Sequence, residues 1–439
     1  MDIFDEVSRF ADDNHYVDVE DKIPVFLCSI GTHIFNGINK CGLCPFIPSD
    51  DDDDEFSIPE CILRHNNYPI YTPMSHVADT RLHILMRGAK GSGKSILLQM
   101  FLAQSTGLLY HANAADLGLG FRTDIGPNSI TEAGMFGSVN DEGEIMGRPL
   151  AREMCGGFLG FEEMSSLMDA SKKDHSVDMK NQLLTSTDNG RVKKAMRAGW
   201  VEYLTRYTIW GGTQPGRMDL ESGLDRRFFI IDIEMSPEKE QAYKQAQNKQ
   251  ASVTMEHRVD MAERIQNMQA WFVRRACEAI ADPPTGIIFS DSVNNWLMRD
   301  EVRGHEADLF RRLCIGYAMM KPEWEGGKEI VVELDDRLRN LLEMCLKMRR
   351  NVMDSDVNLI KTAFWNSELS RSALLDKVAT MITNRDYQAA KRWVEDNLLG
   401  KPWYSEYKAE SKGRGRRGIK AYIGYRSNAK TVEWGKTNE

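Results

Sequence analysis

Between residues 80 and 235 short apolar runs alternate with amphipathic stretches. The runs at 82–86, 107–111, 157–161, 208–212 and 228–233 read as buried strands. Between them apolar positions recur at helical spacing. Strands alternating with helices predict a parallel α/β sheet. From about residue 236 the strand pattern gives way to helices, and Leu309, Leu313, Tyr317 and Met320 place one packed helix over 307–320. The segment from 370 is different again. Leu374, Leu375, Val378, Met381 and Ile382 form one helical stripe; Tyr387, Ala390, Trp393, Val394 and Leu398 form a second. Residues 403–406 and 419–425 then read as two strands around the basic turn 412–418. Two helices and a basic hairpin predict a winged helix that touches duplex phosphates through Arg414, Arg416 and Arg417. The bland alternative is a small capping domain with a solvated loop.

Composition narrows the class. The chain has 439 residues, 42% hydrophobic and 28% charged, enough for two or three domains. No apolar run approaches the roughly 20 residues of a membrane span, so no membrane partner is expected. The acidic start lacks the basic region of a signal peptide. Eight cysteines in such a chain imply reduced thiols, and a cytoplasmic or nucleoid-associated location follows. The net charge of −9 conceals an asymmetry. Residues 1–70 carry 15 acidic and 4 basic side chains, while 371–439 carry 8 and 15. A basic tail on an acidic body points to a local anionic partner.

The most specific chemistry lies at residues 88–95. Gly88, Gly91, Gly93, Lys94 and Ser95 complete a G-x-x-x-x-G-K-S phosphate loop between an apolar strand and a helix. Backbone N–H groups of such a loop wrap a phosphate chain, the lysine reaches the β and γ oxygens, and the serine hydroxyl meets Mg²⁺. ATP and Mg²⁺ are the expected cofactors. Downstream, the strand at 157–161 ends in Glu162 and Glu163; the first would order the Mg²⁺ shell and the second polarise the attacking water. The strand at 208–212 ends near Gln214, which could hold the same water from the other side. Arg226 and Arg227 precede the last strand, where an arginine can reach a neighbouring subunit's γ-phosphate.

This order of motifs resembles the AAA+ superfamily, and within it the minichromosome maintenance (MCM) helicases, over roughly residues 75–320. The stretch Ala133-Gly134-Met135-Phe136-Gly137-Ser138-Val139 is similar to that family's helix-2 insertion region. Glu162-Glu163-Met164 stands where its Walker B pair stands, 189–199 looks like its presensor hairpin, and Arg206 through Gln214-Pro215 matches its sensor 1 region. The resemblance implies an AAA+ α/β ATPase core over 71–235 and a helical lid and linker over 236–369. Before them lies a small acidic N-terminal domain over 1–70, and after them the winged helix over 370–439. It implies a homo-oligomeric ring, a hexamer, with single-stranded DNA in its pore and duplex at the winged helix. In that ring Lys193, Lys194 and Arg197 would line the pore and grip phosphates; a solvated basic face is the alternative.

The departures are specific. Glu162 replaces an aspartate, Gln214 an asparagine, and the N-terminal region is far shorter than the family's. Arg303, Arg311 and Arg312 are all available as the sensor 2 arginine. Cys41, Cys44, Cys61 and His65 have spacing for a tetrahedral zinc site, with Cys28 and His33 as competing ligands and free buried thiols as the alternative. The expected function is an ATP-dependent DNA helicase or translocase of replication. The rivals are a remodelling ATPase of the MoxR or chelatase type, which Thr213-Gln214-Pro215 and Leu224-Asp225-Arg226 also resemble, and a DNA-bound ATP switch that does not unwind.

Overall fold

The alternation of apolar runs and amphipathic stretches closes into a parallel sheet in the computed structural model. The structure describes residues 1–35, 81–88, 90–110, 122–127, 130–164, 175–214, 226–233, 237–399 except 283, 285, 365, 366 and 384, and 404–408 and 419–423. The chain opens with helices α1 (Ile3–Asp13) and α2 (Ile23–Phe35), then strand β1 (His83–Gly88), helix α3 (Lys94–Leu102) and strand β2 (Thr123–Ile125). An insertion follows: α4 (Glu132–Phe136), β3 (Ser138–Val139), β4 (Ile145–Met146) and α5 (Leu150–Glu153). Next come β5 (Phe158–Phe161), α6 (His175–Asn189), the hairpin β6 (Arg191–Met196) and β7 (Gly199–Leu204), β8 (Thr208–Thr213) and β9 (Phe228–Ile233).

The five core strands lie in the order β2-β5-β8-β1-β9, all parallel. Strand β8 is therefore inserted between the strand that feeds the phosphate loop and the strand that ends in the acids. Strands β5, β8 and β9 fall where the apolar runs predict them. Of the run at 107–111, the described residues 107–110 form no strand; Leu108 and Leu109 are buried in turns after α3, and the edge strand is the short β2.

Helix α2 is apolar on every side and almost wholly buried. A helix with no polar face must lie inside a core, and its neighbours are aromatic. Phe26 stacks on Phe101 of α3 at 5.5 Å and meets Trp210 of β8 edge-on at 4.8 Å. Helix α1 starts on Asp2, whose carboxylate accepts from the Phe4 and Asp5 amides, and buries Ile3, Phe4, Val7 and Phe10. Residues 3–35 thus belong to the same compact unit as the sheet, Met1–Arg349, and not to a separate acidic domain over 1–70.

The rest of that unit is α7 (Pro237–Ala251), α8 (Met255–Ala281), β10 (Ile287–Phe289), α9 (Asp291–Leu297), α10 (Gly304–Met320) and β11 (Ile330–Val332). The helix predicted over 307–320 is α10. Strands β10 and β11 pair in parallel, a small sheet that the helical pattern hid. Helix α11 (Asp336–Phe364) begins in this unit. Helices α2 and α10 cross at Gly31 and Gly316, where a β-carbon on Gly31 would collide with the Gly316 carbonyl.

The second unit spans Arg350–Glu439 and starts ahead of the expected boundary at 370, because Val357 and Ile360 of α11 join its core. It holds β12 (Ser367–Ser370), α12 (Arg371–Met381), α13 (Tyr387–Asn397), β13 (Tyr404–Lys408) and β14 (Ile419–Ile423). Both apolar helical stripes read from the sequence are helices here. The two predicted strands pair antiparallel, and β12, too short and polar to be predicted, adds a third in the order β12-β14-β13.

The Gly31–Gly316 crossing yields a stability test. Gly31→Ala should cost about 3 kcal/mol, at the high end for overpacking between two backbones that cannot separate. Gly304→Ala, where an added methyl meets nothing within 4 Å, should leave the urea midpoint unchanged. Equal midpoints for the two variants would show that the crossing is not tightly constrained.

Candidate nucleotide site

Ligands of open parallel sheets bind beyond the carboxyl ends of the strands, and the predicted site residues gather there. Lys94 and Ser95 open α3 directly after β1, Glu162 and Glu163 follow β5, and Gln214 follows β8. Lys94 is buried, and its Nζ donates to the Gly88 carbonyl at 2.6 Å, with Ser92 Oγ 3.5 Å away. Burial lowers its pKa below the ordinary lysine value, and the Glu163 carboxylate opposes that shift. The ammonium and that carboxylate therefore feel one another across the site.

Gln214 Nε2 donates to Glu163 Oε2 at 2.8 Å. The insertion of β8 beside β5 makes this bond possible, because the two strand tips are neighbours. The bond fixes the orientation of the carboxylate. Glu162 and Ser95 are both half-buried and supply hard oxygen donors. A Mg²⁺ ion bound with phosphates needs only one or two such protein ligands, so the donor set fits that ion. Among the described residues no three His, Cys, Asp or Glu side chains cluster for any metal.

The loop backbone needs its glycines. Gly93 caps α3 at φ +93°, and a β-carbon there would strike the Tyr243 hydroxyl. Tyr243, on α7, was not among the predicted site residues. Its hydroxyl lies 3.2 Å from both the Ser92 and Val17 carbonyls, bridging the phosphate loop to the turn between α1 and α2. The signal for it was present: Tyr243 is the lone aromatic in an otherwise polar helix.

The two candidate finger arginines separate. Arg227 donates to the Leu184 carbonyl at 3.2 Å and pairs with Asp188, so it is committed to α6 of its own chain. Arg226 is exposed, with no hydrogen-bond or ion-pair partner among the described residues. Arg312 is likewise spent internally, on the Arg81 carbonyl at 3.0 Å and Asp308 at 2.7 Å.

On the hairpin β6–β7 the three predicted cations also differ. Lys194 forms a half-buried ion pair with Glu132 of α4 at 2.9 Å. Lys193 is exposed, 3.5 Å from Glu202, and Arg197 stands exposed at the tip. Cys41, Cys44, Cys61 and His65, and Arg414, Arg416 and Arg417, lie outside the described residues. The competing ligands are accounted for. Cys28 is a buried thiol whose pKa burial and the neighbouring Cys345 and Cys314 push up. His33 is held between Thr208 Oγ1 at 2.6 Å and the Gly156 carbonyl at 2.9 Å. No protein-family model and no curated protein matches this chain.

The Tyr243 bridge predicts a nucleotide-affinity effect without a chemical one. Tyr243→Phe removes one hydrogen bond, worth about 1 kcal/mol, and should weaken ATP binding about fivefold with turnover at saturation unchanged. Unaltered affinity in equilibrium titration would show that the loop is ordered without it.

Proposed function

We propose that the chain is an ATP-hydrolysing AAA+ motor that assembles as a homo-oligomeric ring, a hexamer, and translocates on or unwinds DNA in replication, as its resemblance to the MCM helicases implies. The observation that carries this reading is the Glu163–Gln214 bond beside the Lys94 loop. In the proposed cycle Lys94 draws charge from the β and γ phosphates, and Ser95 and Glu162 would hold a Mg²⁺ ion, which would supply charge shielding there. Glu163 accepts the proton of the attacking water, and Gln214 fixes the carboxylate that does so. Strand β8 between β1 and β5 supports the AAA+ assignment, because the sensor residue of that class must reach the same water from the adjacent strand.

Arg226 is the finger in trans; Arg227 positions the segment by anchoring it on α6. The order helix, strand, two helices, two strands in the second unit, with the basic sequence 412–418 between β13 and β14, supports a winged helix on duplex DNA. The acids that engage Lys193 and Lys194 favour one second reading. A remodelling ATPase of the MoxR or chelatase type needs no phosphate grip, and strand displacement on forked DNA separates the two.

Glu163→Gln should bind ATP but lose turnover at least 100-fold, within the range for a displaced general base, while Lys94→Ala should not bind ATP. Arg226→Ala mixed with Lys94→Ala should regain activity in shared rings. Arg227→Ala should instead lower the melting temperature. Rescue by Arg227→Ala and not by Arg226→Ala would reverse the assignment.

Replacing Arg414, Arg416 and Arg417 with alanine should leave ATPase activity intact. The log–log salt slope of duplex binding should flatten by up to about 2.7, three phosphate contacts at roughly 0.9 each. An unchanged slope would remove the wing from the DNA interface.

A further inference from the structure

Trp200 is the second residue of β7, paired with Ala195 across the hairpin, and it is 60% exposed. An indole on a strand surface normally packs down; this one is held up. Lys193, on the partner strand, places its Nζ 5.4 Å from the ring centroid, and Glu202 holds that ammonium at 3.5 Å. The strand beneath is fixed as well. The buried Tyr203 hydroxyl donates to the Phe136 carbonyl at 3.0 Å, and Gln182 of α6 donates to the Lys193 carbonyl at 3.3 Å. The ring is therefore oriented before anything binds to it.

Its surroundings select an occupant. Arg197 at the hairpin tip is exposed, and so is Met146 on β4 of the neighbouring hairpin. The two turns are packed together: a β-carbon on Gly199 would stand 3.3 Å from the Gly143 Cα. Charge on this surface is close to balanced. Lys194 is paired with Glu132, Arg191 with Glu202, and Asp141 and Glu142 are exposed on the adjoining turn. A phosphate chain alone gains little from such a surface. An oriented indole with Lys193 beside it and Arg197 at the tip of the same hairpin offers a π-face for a base and a charge for the next phosphate, the combination that single-strand-binding proteins use.

We propose that Trp200 is a base-stacking residue for single-stranded nucleic acid, with Arg197 holding an adjacent phosphate, so that the hairpin grips bases more than backbone. This rests on the DNA-motor reading for its partner, and the experiment keeps the two apart. Full-length protein with a non-hydrolysable ATP analogue is titrated with labelled oligo-dT and with an abasic strand of the same length. Trp200→Ala should lower oligo-dT affinity roughly 5- to 150-fold, the range for one lost stacking contact, while Trp200→Phe retains most of it. The salt slope should stay the same in Trp200→Ala and fall by about 0.7 in Arg197→Ala. Wild type should bind the abasic strand no better than Trp200→Ala binds oligo-dT.

Wild-type affinity for oligo-dT in Trp200→Ala overturns the stacking role while the DNA-motor reading stands. Failure of the wild type to bind any strand overturns both. Loss of the oligomer in Trp200→Ala, read by light scattering, assigns the ring to a subunit contact and overturns the proposal too.

Discussion

Helix α2 sets the stagger of the sheet, and through it the geometry of the site. Ser29 Oγ bonds the Leu82 carbonyl at 2.5 Å and accepts from Trp210 Nε1 at 2.8 Å; Thr32 Oγ1 accepts from the Leu82 amide at 3.1 Å. His33 spans Thr208 and the Gly156 carbonyl. A carbonyl can only accept, so Nε2 carries the proton and Nδ1 takes the Thr208 hydroxyl. Leu82, Thr208 and Gly156 stand at the starts of β1, β8 and β5. One buried helix thus pins three neighbouring strands at one end, and their other ends deliver Lys94, Gln214 and Glu163. Each buried polar group left unmet would cost about 1–3 kcal/mol, so the bonds select one alignment of α2 among the many its apolar surface would tolerate.

What was legible in the sequence follows from which residues carry their own signal. The phosphate loop is a local motif, and β5, β8 and β9 are apolar runs that no exposed segment could afford. Strand β2 is three residues with an aspartate at its centre, Thr123-Asp124-Ile125, and it is a strand only because β5 supplies the pairing. The run at 107–111 is equally apolar but follows α3 too closely to cross to the sheet's far edge. Ser29, Thr32 and His33 interrupt α2 with polar chemistry that looks functional in one dimension. In three dimensions it is consumed by the sheet. Charge was least legible of all, since a sequence cannot show that Lys194 faces Glu132 or that Arg227 faces Asp188.

The Arg227–Asp188 pairing and a bond from Gln182 tie the candidate site and the hairpin to one element, α6. Arg227 grips α6 at Leu184 and Asp188, and Gln182, on the same helix, holds β6 at the Lys193 carbonyl. Lys193 in turn supports Trp200. In the proposed ring, a shift of Arg226 towards a neighbour's phosphate moves Arg227 with it. The rigid element that answers is α6, which carries the hairpin. Coupling through a packed helix needs only two arrangements of that helix, not a wire of specific contacts. In the proposed ring, with Arg227 and Lys194 held in ion pairs, Arg226 would meet a phosphate at one end of this element and Trp200 a base at the other.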